Sequence, residues 1–194
     1  MSPPRILLLP GWQGAAASHW QSHWERRHGF ERLQQDDWWW PRRGDWMARL
    51  EDALLADPRP TVLVAHGLAC HLVAAWAGHS RQGRLVSAAL LVAPPDLART
   101  DLAPQLQAWA PMAMAPLPFA SSVVIGADGP LCPPEHSRSL ALAWGSEVHA
   151  AAAGALDGDL GDLGDWPLGL TLLRQLMRRA GLAAALPTDL AGPQ

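Results

Sequence analysis

The sequence predicts an α/β domain whose mostly parallel central sheet carries helices on both faces. Three observations lead to this prediction. Short apolar runs without polar alternation recur along the chain, as they do in strands buried on both faces of a sheet. Segments with helical periodicity separate these runs, and right-handed crossovers would place them over the sheet. The 194 residues fit roughly one domain, and 49% of them are hydrophobic, enough to form a buried core.

The first two elements are predicted from an apolar run and a capped amphipathic segment. Ile6–Leu9 is an apolar run that a proline–glycine pair ends, which is typical of a buried strand followed by a turn. Ser18 is positioned to N-cap a helix over residues 19–27, on which Trp20 and Trp24 share one face. Gly29 would end this helix.

A second helix and a second buried strand follow. Asp45 can cap the helix, and the prolines at 58 and 60 close it. Thr61–Ala65 is a β-rich run without alternation and predicts another strand. The buried stripe of the helix is predicted to contain Trp46, Leu50, Ala53 and Leu54.

The second half of the chain continues the alternation of strands and helices. Residues 1–179 are therefore expected to form a single domain, and residues 180–194, rich in Ala, Gly and Pro, a C-terminal tail. The predicted elements are a helix over 68–78, strands over 86–93 and 121–125, a helix over 137–144, a strand over 148–152 and a helix over 168–179.

Composition excludes several classes of protein. All 15 basic residues are Arg, and with 18 acidic residues the net charge is −3, so the basic face of a nucleic-acid-binding protein is missing. Two cysteines give no disulfide framework and no zinc-binding spacing. Prolines interrupt the longest charge-free stretch, residues 108–127, which therefore does not predict a membrane span. We expect a cytoplasmic protein with no cofactor and no metal, which binds neither nucleic acid nor membrane.

Ligands of open α/β sheets lie at the carboxyl ends of the strands. Any chemistry is therefore expected on the loops that follow the predicted strands. These loops are Pro10–Gly14, Ala65–Ala69, Ala93–Asp96, Gly126–Pro130 and Ala153–Ala155.

Motifs spread over most of the chain carry a family resemblance. They are Leu9-Pro10-Gly11, Ser18–Glu25, Gln35-Asp36-Asp37-Trp38, Pro41, Trp46, Val62–His66, Leu91–Asp96, Pro116–Phe119, Ala143–Ser146 and Gly164–Pro167. With these motifs in register, the sequence resembles the small bacterial serine hydrolases related to YdeN and to human retinoblastoma-binding protein nine. The resemblance implies an α/β-hydrolase-like sandwich without a large cap domain.

Active members of this family attack a carbonyl with a Ser on the sharp turn after a strand, while a His accepts its proton and an Asp orients the His. The family pattern at the nucleophile resembles His-Ser-Leu-Gly-Cys, whereas this chain has Gly67 in His66–Cys70. By the same resemblance Gly129 occupies the position of the acid and Ala155 that of the base. All three positions lack a catalytic side chain, which implies a protein inactive as a Ser-His-Asp hydrolase.

Backbone groups survive the loss of these side chains. The amides of Leu68 and of either Trp12 or Gln13 are expected to remain as the donors that stabilise an oxyanion, so an anionic small molecule is a candidate ligand near Gly67. Glycine at position 67 also relieves the strain of a sharp turn. The expected residual pocket consists of Gly11, Trp12, Gln13, His66, Gly67, Leu68 and Asp128.

Other chemistry-bearing residues have simpler structural interpretations. Cys70 is expected in the packed core, and His66 and His71 in structural roles. His19 and His23 have the i, i+4 spacing of a zinc pair but no third ligand. Several further groups are expected to take no part in catalysis: His149 within a strand, and the loop carboxylates Asp128, Asp157, Asp159 and Asp162.

Three consecutive indoles, Trp38, Trp39 and Trp40, follow an acidic pair. Because successive side chains of an extended segment alternate faces, at least one of Trp39 and Trp40 is expected to be partly exposed. Exposed Trp is frequent where proteins bind each other, so a protein partner or a homodimer through these residues is possible.

Three functions are compatible with the sequence. The first is a pseudohydrolase that binds a ligand or a partner without turning it over. The second is an active ester or amide hydrolase with relocated catalytic residues. The third is an interaction module that uses the Trp-rich segment.

Overall fold

The computed structural model describes residues 3–126, 133–151 and 163–182. In these ranges one six-stranded sheet has the order β2-β1-β3-β4-β5-β6, and all five pairings are parallel. The predicted α/β architecture is therefore confirmed. The strands are β1 (Arg5–Leu9), β2 (Glu31–Arg32), β3 (Thr61–His66), β4 (Val86–Val92), β5 (Ala120–Ile125) and β6 (Glu147–Ala150).

Helices cover both faces of the sheet because alternate strand residues point to opposite faces. Leu7, Leu9 and Leu63 face a core with α2, α3 and α4, while Ile6 and Leu8 face a core with α1 and α5. The helices are α1 (Trp20–His28), α2 (Arg43–Leu55), α3 (Leu68–His79), α4 (Pro134–Trp144) and α5 (Pro167–Arg179), with short 3₁₀ helices at Gly83–Leu85 and Pro104–Trp109.

The starts of α1 and α2 differ from the sequence prediction. His19, not Ser18, caps α1, because its Nδ1 atom accepts the amide hydrogen of Gln21 at 3.2 Å. Helix α2 begins at Arg43, so Asp45 lies inside the first turn, where a carboxylate interacts favourably with the positive end of the helix dipole. Gly29 ends α1 in the left-handed conformation, as predicted.

The remaining elements agree with the predicted ones to within a few residues. The two-residue strand β2 was not predicted, because it is too short to show a period. Leu182 is buried and its amide donates to the carbonyl of Met177, so packed structure continues to the end of the described residues. The predicted domain and tail boundaries stay predictions. In the described part of the chain, no helix is long and apolar enough to cross a membrane.

Candidate functional site

The turn between β3 and α3 has the conformation expected of a nucleophile elbow. Gly67 has φ 56° and ψ −124°, a region in which residues other than glycine are strained. Its amide donates to the carbonyl of Val92 on β4 at 2.9 Å, which fixes the turn to the neighbouring strand. Gly67 thus has a positive φ between the end of a strand and the start of a helix, as the sharp turn implied by the family resemblance requires.

The loop after β1 packs directly against this turn. A Cβ atom added to Gly11 would lie 2.9 Å from the carbonyl oxygen of His66 and 3.4 Å from the amide nitrogen of Leu68. A Cβ atom added to Gly67 would meet its nearest such neighbour, the Cα of Gly11, at 4.0 Å. The two backbones therefore touch at Gly11, whereas the space for a side chain at position 67 is open.

Two backbone amides are available beside this space. Leu68 is the first residue of α3, so its amide has no acceptor within the helix, and no oxygen of the described residues accepts from it. The amide of Gln13 donates to the carbonyl of Trp38 at 3.0 Å. Of the two predicted donors of the first loop, Trp12 is the one whose amide has no acceptor among the described residues.

The imidazoles of His66 and His19 lie together on the α1 side of the elbow, with ring centroids 4.9 Å apart. Desolvation, with a smaller contribution from the neighbouring His19, lowers the pKa of His66 to about 3, so this ring is neutral at physiological pH. The Nδ1 atom of His66 makes no hydrogen bond to the described residues. Neutral His66 can still donate or accept one hydrogen bond, but it is too weak a base to take a proton efficiently near pH 7.

Cys70 and His71 occupy the α3 side of the elbow. Cys70 is fully buried, as predicted, and its Sγ atom lies 3.4 Å from the carbonyl oxygen of Val92. His71 is buried with its Nε2 atom 2.8 Å from the carbonyl oxygen of Pro95, and desolvation lowers its pKa to about 4. Both side chains are therefore parts of the packed structure beneath the turn.

The Trp-rich loop holds the loop that carries the Trp12 amide. The indole Nε1 of Trp12 donates to the carbonyl of Trp39 at 3.1 Å, in addition to the Gln13–Trp38 backbone hydrogen bond. The ring of Trp38 lies 3.6 Å from where a Cβ atom of Gly14 would be. These contacts fix the position of the candidate donor relative to the elbow.

A histidine–carboxylate pair that the sequence analysis did not identify lies at the same end of the sheet. The Nε2 atom of His136, in the first turn of α4, is 3.4 Å from Oδ1 of Asp96, which follows β4. A helix predicted to start at residue 137 placed His136 outside it. The proline at position 134, favoured in the first turn of a helix, was the signal that could have located it.

Several predicted residues lie elsewhere. His23 is 3.7 Å from Asp165, and His149 lies within β6, as predicted. Within the three described ranges, no three His, Cys, Asp or Glu side chains converge as metal ligands would. The remaining predicted positions lie outside the described residues: Asp128, Gly129, Ala155, Asp157, Asp159 and Asp162.

Comparison with known proteins identifies a family for most of the chain. Residues 6–175 match the family model described as serine hydrolase. No curated protein sequence matches the chain.

Solved structures share the fold. A YdeN-like protein from Pectobacterium atrosepticum superimposes with a TM-score of 0.75 at 22% identity, covering 95% of this chain and 94% of that one. YdeN from B. subtilis gives a TM-score of 0.70 at 17% identity, covering 90% and 99%. Esterase 2 from Thermogutta terrifontis gives 0.63 at 16% identity, covering 93% and 85%.

Proposed function

Since the chain belongs to the serine hydrolase family over residues 6–175, we propose that it is a pseudohydrolase that binds a small anionic ligand at the elbow without hydrolysing it. One observation carries this proposal. The elbow at Gly67 has the φ of 56° and the room for a Cβ atom that a nucleophile needs, yet it has no side chain. The family supports hydrolase-like chemistry, and the residue at the turn argues against its first step.

That first step is the attack of a hydroxyl or thiol on a carbonyl carbon. Gly67 has neither group, and Cys70, three residues later, is fully buried against main-chain carbonyls. A thiol that is enclosed in this way cannot reach a substrate. The loss of the acid and base at Gly129 and Ala155 rests on the sequence resemblance and is part of the proposal.

The binding half of the proposal rests on groups that do not depend on side chains. The free amides of Leu68 and Trp12 indicate that the ligand is an anion rather than a cation, because both groups are hydrogen-bond donors. The loop contacts of Trp12 and Gln13 hold one donor in place, and β3 and α3 hold the other. A carboxylate fits this arrangement since it accepts from two donors at once.

The catalytic half is tested with purified protein. We expect no labelling by a fluorophosphonate probe and no hydrolysis of p-nitrophenyl acetate above a blank that contains the same amount of an inert protein. Turnover that a single substitution of His or Cys abolishes would contradict the proposal.

The binding half is tested by titrating acetate into ¹⁵N-labelled protein up to about 100 mM, which detects a millimolar dissociation constant. We expect the backbone amide resonances of Leu68 and Trp12 to shift together with one binding curve. The amide of Gly145, which ends α4, serves as the control and should not move. Unchanged Leu68 and Trp12 resonances at the highest acetate concentration would contradict anion binding.

A second candidate function, an active hydrolase with relocated groups, is favoured by the Asp96–His136 pair, which has the composition of a general base beside a carboxylate. At 3.4 Å the two groups make no hydrogen bond in this structure, so the carboxylate would orient the imidazole only after a small approach. Such a pair would have to activate water, because the elbow has no hydroxyl. If p-nitrophenyl acetate is hydrolysed, His136→Ala should abolish the activity under this alternative. His79→Ala, at the exposed end of α3, is the matched control and should leave it unchanged.

A further inference from the structure

Two adjacent tryptophans are exposed although most indoles of the chain are buried. Trp39 is 64% and Trp40 is 59% exposed, whereas Trp38 is half-buried. The exposure predicted for at least one of them thus applies to both. Large apolar side chains exposed side by side are unusual on the surface of a monomer and are frequent at interfaces.

The backbone that carries these indoles is held in place. Oδ1 of Asp37 accepts the amide hydrogens of Trp39 and Trp40 at 2.8 and 2.9 Å, and the carbonyl of Asp37 accepts from the indole of Trp46 at 3.1 Å. The carbonyl of Trp39 accepts from the indole of Trp12. A partner would therefore meet a loop that is already ordered, so little conformational entropy is lost on binding.

The charges beside the indoles are self-complementary. Arg42 and Asp45 are both exposed at the start of α2. In the described part of the chain neither lies within 4.0 Å of an opposite charge, although Arg42 is near enough to Asp37 to contribute, after the backbone hydrogen bonds, to the lowered pKa of that carboxyl. The adjacent Asp36 and Arg49, by contrast, pair with each other. Two opposite charges three residues apart become two complementary pairs when a two-fold axis places the same surface against itself.

We propose that Trp39, Trp40, Arg42 and Asp45 form the surface through which two copies of this chain associate, with Arg42 of each copy facing Asp45 of the other. The tryptophan–arginine surface, as we call these four residues, offers roughly 300 Å² of exposed indole per copy, less than the ~800 Å² per partner of a standard interface. The expected association is therefore weak and depends on concentration. This inference does not depend on ligand binding at the elbow.

Sedimentation equilibrium of the full chain between about 5 μM and about 1 mM tests the proposal over the range expected for small interfaces. We expect a shift from monomer toward dimer with concentration. Trp39→Ala/Trp40→Ala should weaken the association at least about tenfold. Leu142→Ala, at an 84% exposed leucine on α4, is the matched control and should associate like the parent.

Charge reversal distinguishes a second copy from any other partner. Arg42→Asp and Asp45→Arg should each weaken self-association several-fold, because each brings like charges together across the axis. An equimolar mixture of these two variants should restore association, since both pairs are then complementary in the mixed dimer. A parent that stays monomeric at about 1 mM overturns the proposal, as does a mixture that associates no better than its components.

Discussion

At Gly67 the chain keeps a backbone conformation that costs a residue with a side chain about 1–3 kcal/mol. Glycine adopts it freely, so the turn persists without the hydroxyl that would make it catalytic. The neighbouring Gly11 is required for a different reason, because its missing side chain lets the first loop touch the main chain of the elbow. One glycine thus permits a dihedral angle, and the other permits a close approach.

These two roles predict different outcomes of substitution. Gly67→Ser should fold and lose about 1–3 kcal/mol of unfolding free energy, because the space is open but the dihedral is strained. Gly11→Ala should also destabilise by about 1–3 kcal/mol, since its methyl group forces the backbone at His66 to shift, and it should in addition move the Trp12 amide resonance. Gly44→Ala, in α2 with no neighbour within 4 Å, is the control and should be neutral or stabilising. Urea denaturation measures the stability of the three variants, and a Gly11→Ala protein as stable as the parent would contradict this account.

The desolvated imidazoles of His66 and His71 predict a dependence of stability on pH. His66 and His71 have pKa values lowered to about 3 and about 4 by desolvation, so the folded state favours their neutral forms. Their ordinary pKa in the unfolded chain is about 6.5, so the stability they confer is complete above that pH and is lost as the pH falls toward the folded values. Between pH 6.5 and 5 the unfolding free energy should fall by up to about 1.4 kcal/mol per pH unit for each histidine.

His71→Gln should remove about half of this dependence of the unfolding free energy on pH. His79→Gln, which replaces an exposed imidazole, is the control and should leave the dependence unchanged. Urea denaturation at several pH values above 5 measures the slope before most carboxylates titrate. A parent whose unfolding free energy is constant between pH 6.5 and 5 would show that these rings are not held neutral.

Among the helices and strands, those marked by an apolar run or a helical period were predicted from the sequence. Helix ends that depend on a single contact were not. The core strands were predicted because each is a continuous apolar run. The cap of α1 was misassigned because either Ser18 or His19 can accept an amide hydrogen, and only the fold shows that the imidazole does. The start of α4 was placed three residues late because its first turn contains no buried hydrophobic residue.

Packing at the start of α5 predicts that a side chain at Gly169 would destabilise the protein. A Cβ atom added to Gly169 would overlap the ring of Trp166. The centroid of that ring lies 4.8 Å from that of Trp20 and 5.8 Å from that of Trp24, on which it stacks. Gly169→Ala should therefore displace Trp166 and cost about 2–3 kcal/mol. Gly78→Ala, near the end of α3 with open space around it, should be neutral or stabilising. Thermal unfolding compares the two, and equal melting temperatures would contradict this account of α5 packing.

For the whole molecule, the elbow could be predicted because a family motif marks residues 66–70. The contacts that hold the donor of Trp12 in place could not, since they join the Trp12 indole and the Gln13 amide to main-chain carbonyls of a distant loop and leave no pattern in the sequence. The Asp96–His136 pair was missed for a related reason, because the two residues follow different strands and only the parallel sheet brings them together. Sequence thus located the turn, and tertiary structure supplied its surroundings.

Rebuilding the triad tests whether the scaffold around the elbow is intact. Gly67→Ser, Gly129→Asp and Ala155→His together should produce fluorophosphonate labelling and weak ester hydrolysis, because the donors are main-chain groups. Full activity is not expected, since catalytic geometry must be held to roughly 0.5 Å and the supporting residues are not tuned for it. Any one or two of the reversions should give almost nothing, because triad residues act as a unit.

A fourth substitution tests whether the methyl group of Ala69 crowds the elbow. Ala69 is fully buried at the start of α3, where the family pattern that the sequence resembles has glycine, so its methyl group is expected to crowd the elbow. Adding Ala69→Gly should raise the labelling of the triple variant, while Ala69→Gly alone, the matched control, should stay unlabelled because it has no nucleophile. If the folded quadruple variant also stays unlabelled, the space above Gly67 is not the remnant of a catalytic pocket. The ligand-binding proposal then loses its main support, whereas self-association through the tryptophan–arginine surface is unaffected.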